Sequence, residues 1–387
     1  MTINDLLKNQ KCEMVRLGDV AKVLNGYSFK ANKYTKEGIR VIRISDVQKG
    51  TLSNKDVKYY SIDAKEEIKN FLLKEDDLVM SLTGNTGRVA VISKDVLPAG
   101  LNQRVACLRV DESKILPRFL FHYLDRDEFE NDAMNNSTGG GQKNLSTEWV
   151  KDYLIPLPPL TTQLKIVDVL DKFTELEKEL EKELEKRKLQ YQYYRDKLLT
   201  FTEEEREKWG VREVMIGECC EVLTGGEVPD DCIKGQKEAD EIYKYPVYTN
   251  GVEVYGYSSK YRVDKKAVTI SSIGNVGYVA YRDEKFFPAI RLKVIIPKDT
   301  DIDTKYLYYI VQCIKFTGTN SSLSSMNSND VKKYEIQIPT LTRQKEIVEI
   351  LDKFDTLVND ISKGLPREIE LRRKQYEYYR DRLLRFN

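Results

Sequence analysis

A chain of 387 residues with 41% hydrophobic and 32% charged residues has room for two or more folded domains, and is too charged to be one continuous core. No run approaches ~18 uncharged apolar residues, which excludes a helical membrane span. The formal net charge of +1 excludes a protein that grips nucleic acid by bulk positive charge alone.

The first 13 residues read as a polar lead-in without the apolar core of a signal peptide, so a cytoplasmic protein is expected. The six cysteines, at 12, 107, 219, 220, 232 and 313, form no CxxC pair, and His122 is the single histidine. Reduced structural thiols are expected, and no metal site or other cofactor. A first globular region spans 1–157. Its strand-like runs fall at 40–44, 78–82, 88–92 and 105–110, separated by turn residues. Lys22, Lys30, Lys33, Lys36, Arg40 and Arg43 stand against one acid, Glu37, so basic charge is local. Pro117 opens a short helix, and 135–146 (NNSTGGGQKNLS) is a glycine-rich polar loop.

Residues 158–207 change character. Apolar residues at 166, 170, 173, 176, 180, 184, 191, 194 and 198 step by three, four or seven and draw one stripe along a helix. Pro158 and Pro159 precede it, with Thr161 or Thr162 as N-cap, and the Glu/Lys run 175–188 supplies i,i+4 pairs. About forty residues give a rod of roughly 60 Å. A second globular region, 208–338, echoes the first. Ile216-Gly217-Glu218 matches Leu17-Gly18-Asp19, Gly274-Asn275-Val276-Gly277 matches Gly84-Asn85-Thr86-Gly87, and Leu307-Tyr308-Tyr309 stands where Leu120-Phe121-His122 stands. The stretch 245–261 (YPVYTNGVEVYGYSSKY) has no counterpart in the first half.

The helix then recurs over 339–387. Gln163, Ile166, Leu170, Asp171 and Phe173 return as Gln344, Ile347, Leu351, Asp352 and Phe354, and Tyr194-Arg195-Asp196 as Tyr379-Arg380-Asp381. A narrow apolar stripe needs a partner, and the other copy carries a matching one. The expected seam runs through Ile166, Leu170, Phe173, Leu180 and Leu184 on one helix and Ile347, Leu351 and Phe354 on the other. The second copy is four residues longer between its Phe and its Tyr cluster and contains Gly364-Leu365-Pro366, which predicts a kink or break. The fold class is α+β: two mainly β domains with short helices, separated by a pair of long antiparallel coiled-coil helices, with pseudo-two-fold symmetry.

The order globular region, helix, globular region, helix resembles the specificity subunit of type I restriction-modification systems. The residues that carry it are Ile155-Pro156-Leu157-Pro158-Pro159-Leu160 with Gln163 and Ile166-Val167, then Ile338-Pro339 with Gln344 and Ile347-Val348, together with the two glycine turns and Gly141-Gln142-Lys143-Asn144-Leu145. Thr340 in place of a second proline and the serine-rich 320–328 in place of the glycine-rich loop depart from the pattern. The resemblance implies two target recognition domains, each reading one half of a split site in double-stranded DNA, with the helices as a ruler. It further implies docking of two methyltransferase (modification) subunits and of restriction subunits, with no catalytic residues and no membrane.

Candidate DNA contacts follow from donors placed in loops and turns. They are Lys30, Lys33, Tyr34 and Arg43 in the basic run, Asn85 and Arg88 at the first glycine turn, and Gln142, Lys143 and Asn144 in the glycine-rich loop. In the second half they are Tyr248, Asn250, Tyr257, Lys260, Tyr261, Asn275 and Asn320. The bland alternatives are structural: a hairpin at 84–87, packed strand tyrosines, a core histidine at 122. Tyr193-Tyr194-Arg195 and Tyr378-Tyr379-Arg380 read as rod-end packing or as subunit docking. No amino-methylation motif, phosphate loop or nuclease constellation is present, which counts against a fused methyltransferase. The other alternative, a coiled-coil scaffold or adaptor that binds no DNA, explains the helices but not the paired globular regions.

Overall fold

The computed structural model describes residues 12–139, 143–274, 276–316, 326–360 and 362–386. It divides into two compact units, Met1–Leu180 with Ile369–Asn387, and Glu181–Glu368. The long helix Leu160–Leu198 contributes its first half to one unit and its second half to the other.

In the first unit an antiparallel sheet runs Ala21–Asn25, Val105–Val110, Leu78–Ser81, Val89–Val91. Its central strands are continuous apolar runs because both faces are covered. Leu78, Met80, Ala106 and Leu108 pack with the helix Pro117–Leu124 and the long helix. Val79, Val105 and Cys107 face Ile42, Ala99 and Leu101 of a second sheet, ordered Ala99–Leu101, Ile39–Ile42, Lys58–Tyr60, Tyr34–Thr35. The expected strands and the helix opened by Pro117 are present, each within two residues. A ribbon pairs Glu13–Arg16 with Leu154–Leu157 and delivers the chain to the long helix.

The second unit repeats the plan. Its main sheet runs Cys220–Thr224, Lys293–Pro297, Ala267–Ile270, Val279–Arg282, and its ribbon pairs Arg212–Met215 with Glu335–Ile338. The stretch 245–261 does have a structural counterpart. Tyr245–Tyr248 pairs parallel with Phe287–Pro288 and antiparallel with Gly256–Ser258, as Ile39–Ile42 pairs with Ala99–Leu101 and Lys58–Tyr60. Backbone pairing preserves the sheet while the side chains change, so the correspondence is not legible in the sequence.

Each long helix is fastened at its first turn by a fully buried glutamine. Gln163 Nε2 donates to Pro158 O (2.8 Å) and Lys114 O (3.1 Å), and its Oε1 accepts from Leu116 N (2.8 Å). Gln344 does the same with Pro339 O, Asp301 O and Asp303 N, each at 2.8 Å. Thr161 and Thr162 lie inside the helix rather than capping it, since Thr162 N already bonds Pro159 O (2.8 Å).

Two turns further on, Asp171 grips the Pro117–Leu124 helix through Arg118 (Nη2 to Oδ1, 2.5 Å) and His122 (Nε2 to Oδ1, 2.7 Å). Asp352 grips the helix Thr304–Gln312 through Lys305 (2.8 Å) and the Tyr309 hydroxyl (2.5 Å). Burial alone pushes the Asp171 carboxyl up, but the hydrogen bonds from His122 and Arg118 outweigh it and hold it near about 2. The His122 ring is wholly buried, with Nδ1 2.9 Å from Tyr376 Oη. Burial drives its pKa below the ordinary value despite the Asp171 bond.

The expected seam is only partly a helix–helix contact. Ile166 and Leu170 enter the first unit's core beside Phe119 and Leu120, and Ile347 and Leu351 enter the second unit's beside Tyr306 and Leu307. The helix pairs meet one turn later. Phe173 stacks on Tyr379 (centroids 5.4 Å apart, 19° between planes), and Phe354 on Tyr194 (5.5 Å, 23°). With Glu177 bonded to Arg373, the first pair is antiparallel. Leu180 is half-buried, and Leu184 packs on the second unit's core.

The C-terminal copy is two helices, Leu341–Asn359 and Leu365–Leu383. At the break Gly364 lies so close to the preceding turn that a Cβ would meet Leu357 O at 2.7 Å and Asp360 O at 2.9 Å. Pro366, in the first turn of the new helix, needs no backbone N–H partner.

Replacing Gln163 by Leu leaves three backbone groups, Pro158 O, Lys114 O and Leu116 N, without their partner. Thermal melting of the Gln163→Leu chain is expected to reveal a loss of roughly 2–4 kcal/mol, and an unchanged melting temperature would remove the anchoring role.

A second expectation concerns pH. The His122 pKa is lowered on folding, so its stabilising contribution is present above ~6.5 and lost as pH falls below that value, where the unfolded chain takes up the proton. Between about pH 7.5 and about pH 5.5 the wild type should lose more stability than His122→Gln. Parallel pH profiles would acquit the ring.

Candidate nucleic-acid interface

Each main sheet carries a turn that opens and closes on a glycine. Gly84 and Gly87 have φ of 77° and 87°, and Gly274 and Gly277 have 73° and 85°, values in the left-handed region where glycine carries no Cβ penalty. A serine eight residues before the next strand closes each turn. Gly87 N bonds Ser81 O and Ser81 N bonds Arg88 O; Gly277 N bonds Ser271 O and Ser271 N bonds Tyr278 O, all at 2.9 Å. The serines recur at identical spacing, three residues before the first glycine of each turn, and that repeat is legible in the sequence.

The turn exposes Gly84 and Asn85. Tertiary structure brings Lys143 and Asn144 beside them: Gly84 N donates to Lys143 O (3.2 Å), and Thr83 Oγ1 bonds Asn144 Oδ1 (2.8 Å). Candidates some sixty residues apart thus form one exposed polar patch. Gln142, Asn275 and Asn320 lie outside the described residues.

In the second unit a different neighbour occupies that place. Asn250 Oδ1 accepts from Ser272 N (2.7 Å), its carbonyl accepts from Ser271 Oγ (2.9 Å), and its Nδ2 donates to Ile290 O. Asn250 therefore supports the turn with its side chain. Arg262, Arg291 and Lys293 gather nearby and were not selected from the sequence, which offers no periodicity or motif at those positions.

The remaining candidates are scattered. Lys30 and Lys33 are exposed at a 3-10 turn that leads into Tyr34, on the edge strand of the first unit's second sheet. Arg43 is held by Asp46 (Nη2 to Oδ1, 3.0 Å) and Asp56 (3.5 Å). Arg88 is held by Glu130 (3.0 Å) and Gln48 (3.2 Å). Their guanidinium groups are engaged within the domain, in a way that sequence charge alone cannot reveal.

Tyr248 is a core residue, 7% exposed, with its hydroxyl on Glu284 (2.7 Å) and the Arg282 guanidinium 3.5 Å from its ring centroid. Tyr257 is half-buried. Lys260 is exposed, as is Tyr261, which packs on Tyr245 (4.8 Å) with the Lys285 ammonium 4.8 Å above its ring.

Two units of one plan, each with a glycine turn whose flanking donors differ from its twin's, define a duplicated recognition module. The chain belongs to the type I restriction modification DNA specificity domain family, whose model matches residues 9–186 and again 207–371. It is 34% identical over 311 residues to the specificity subunit of the type I restriction enzyme EcoR124I/EcoR124II of Escherichia coli, covering 71% of this chain and 72% of that one. A Mycoplasma pneumoniae protein described as a type I specificity subunit is 37% identical over 292 residues, covering 71% of this chain and 83% of that protein. A Haemophilus influenzae protein described in the same terms is 30% identical over 403 residues, spanning 100% of this chain and 98% of its own. In fold, the crystal structure of the type I restriction-modification S subunit from M. genitalium superimposes with a TM-score of 0.61 at 15% identity, over 97% of each chain.

Since Tyr248 fills the second unit's core, Tyr248→Ala should cost roughly 3–5 kcal/mol of stability, measured by thermal or urea unfolding. Wild-type stability in that variant would return the ring to the list of free surface candidates.

Proposed function

We propose that this chain is the DNA-reading subunit of a type I restriction-modification complex, in which each unit reads one half of an asymmetric, bipartite duplex site. The observation that carries this reading is the double match to the specificity-domain model, falling on two units with the same scaffold but different turn neighbours. Asn85, Lys143 and Asn144 cluster in one unit, and Asn250 with a basic group in the other. Unlike surfaces imply unlike half-sites. Readers on one face of the duplex engage half-sites about one helical turn apart, ~34–36 Å.

Methyl transfer and cleavage belong, in this reading, to partner chains. Two modification subunits and the restriction subunits dock on the assembly, one modification subunit for each repeated half. Among the described residues no helix is long and apolar enough to cross a membrane, and a cytoplasmic site of action accords with DNA as the target. The proposed domain limits are recognition domains at 1–157 and 208–338, with spacer helices at 158–207 and 339–387.

The helices serve as the ruler. Four residues inserted in the charged 175–188 stretch lengthen the helix by roughly 6 Å, close to two base pairs at ~3.4 Å each. Mapping of methylated sites in cells carrying the insertion should show a changed gap and both half-sites intact. An unchanged gap would remove the ruler from the mechanism.

A further inference from the structure

Three basic residues of the second unit meet one strand end, at Thr224, Gly225 and Gly226, Arg262 and Lys293 through their side chains and Arg291 through its backbone. Arg262 Nη1 donates to Thr224 O (3.3 Å). Arg291 N donates to Gly225 O (3.1 Å), and Ile290 N to Gly226 O (2.7 Å). Lys293, paired in register with Thr224, extends its ammonium to Thr224 Oγ1 (3.3 Å), which also meets Ser328 Oγ (2.5 Å).

None of the three makes an ion pair among the described residues. Several arginines elsewhere are matched with carboxylates, Arg43 with Asp46, Arg88 with Glu130 and Arg109 with Asp77. Lys293 is the extreme case, since it is only 5% exposed and its sole hydrogen-bond partner among the described residues is a hydroxyl. A buried cation with no counter-charge is costly, and an anion brought by a ligand relieves that cost. Burial, and then the adjacent Arg291, lower the Lys293 pKa.

The backbone adds a second observation. Ile290 and Arg291 are successive non-glycine residues in the left-handed region, with φ of 51° and 60°, and both side chains are exposed. Such strain persists only where the surroundings hold it. Here the hydrogen bonds to Gly225 and Gly226, and from Ser272 Oγ to Arg291 O (2.8 Å), do so. Through Ser272 and Asn250 the cluster is continuous with the glycine turn.

We propose that Arg262 and Arg291, above the buried Lys293, form a cradle on the second unit for a phosphate of the DNA backbone. Guanidinium forks suit phosphate oxygens, and two arginines with no carboxylate opposite them select an anion. The buried lysine is specific to this unit: in the first unit the paired positions are Asn25 and Ala106, although Arg104 stands where Arg291 stands. The inference rests on the DNA-reading function proposed above.

The test uses the full chain assembled with the modification subunits of its own system and a duplex carrying its mapped site. Binding is followed by fluorescence anisotropy over a salt series. Arg291→Asn, which tolerates the left-handed backbone, and Arg262→Gln should each weaken binding several-fold and reduce the slope of log K against log salt by about 0.9. Half-site preference should be unchanged, and Arg291→Lys should retain most of the slope. Unchanged slopes in both variants, with unchanged melting temperatures, would overturn the cradle and leave the DNA reading standing. A wild-type complex that binds no duplex at any salt concentration would overturn both. If the variants lose only a thermal stabilisation by inorganic phosphate and keep the wild-type DNA slope, the site holds a free anion and the proposal fails.

Discussion

The buried amide of Gln163, and its twin in Gln344, satisfies three backbone groups at the point where a globular unit becomes a helix. Such a junction is awkward for a protein. The chain leaves a two-stranded ribbon, passes a proline and begins a helix whose first N–H groups have no internal partners. Hinges form where such groups turn to water. Here one buried side chain with two donors and two acceptor lone pairs joins three segments, so the helix leaves its unit in one direction.

A second clamp makes that direction definite. Asp171 and Asp352 each hold two side chains of the helix packed beneath them, eight residues beyond the glutamine. The chemistry differs between the copies, Arg118 with His122 in one and Lys305 with Tyr309 in the other, while the acceptor is unchanged. One clamp fixes a position, and two fix an axis. The far ends of the helices repeat this economy of parts. Tyr376 and Tyr191 are buried at equivalent positions, Arg380 and Arg195 lie near those rings (5.4 and 5.9 Å), and each arginine is bonded to the aspartate that follows it. The break at Gly364 gives the second helix a fresh start while leaving the Phe–Tyr stacks alike in the two units.

Residues that recur between the halves are therefore mostly scaffold: the glutamines, aspartates, stacked aromatics, turn glycines and turn serines. Recognition has to reside in what does not recur. Beside the first glycine turn stand Lys143 and Asn144, and beside the second stand Asn250, Arg262 and Lys293. A duplicated frame with divergent surfaces suits a reader of two unlike half-sites, because surface donors can change without disturbing the clamps.

Much of this frame is legible in the chain itself. Apolar period marks the strands and helices, since burial of one face or both dictates which positions avoid charge, and Gly364-Leu365-Pro366 announces its own helix break. Internal repetition locates the clamps before their partners are known. Partners are what the sequence withholds. Charge counting makes Arg43 and Arg88 look available, yet each faces a carboxylate delivered by folding. Tyr248 reads as a surface aromatic but fills a core, and Arg262, Arg291 and Lys293 carry no motif yet meet at one strand end. Periodicity records how each residue stands to its own element. Which donor meets which acceptor across tens of residues is decided only when the sheets close and the backbone brings distant side chains within hydrogen-bonding range.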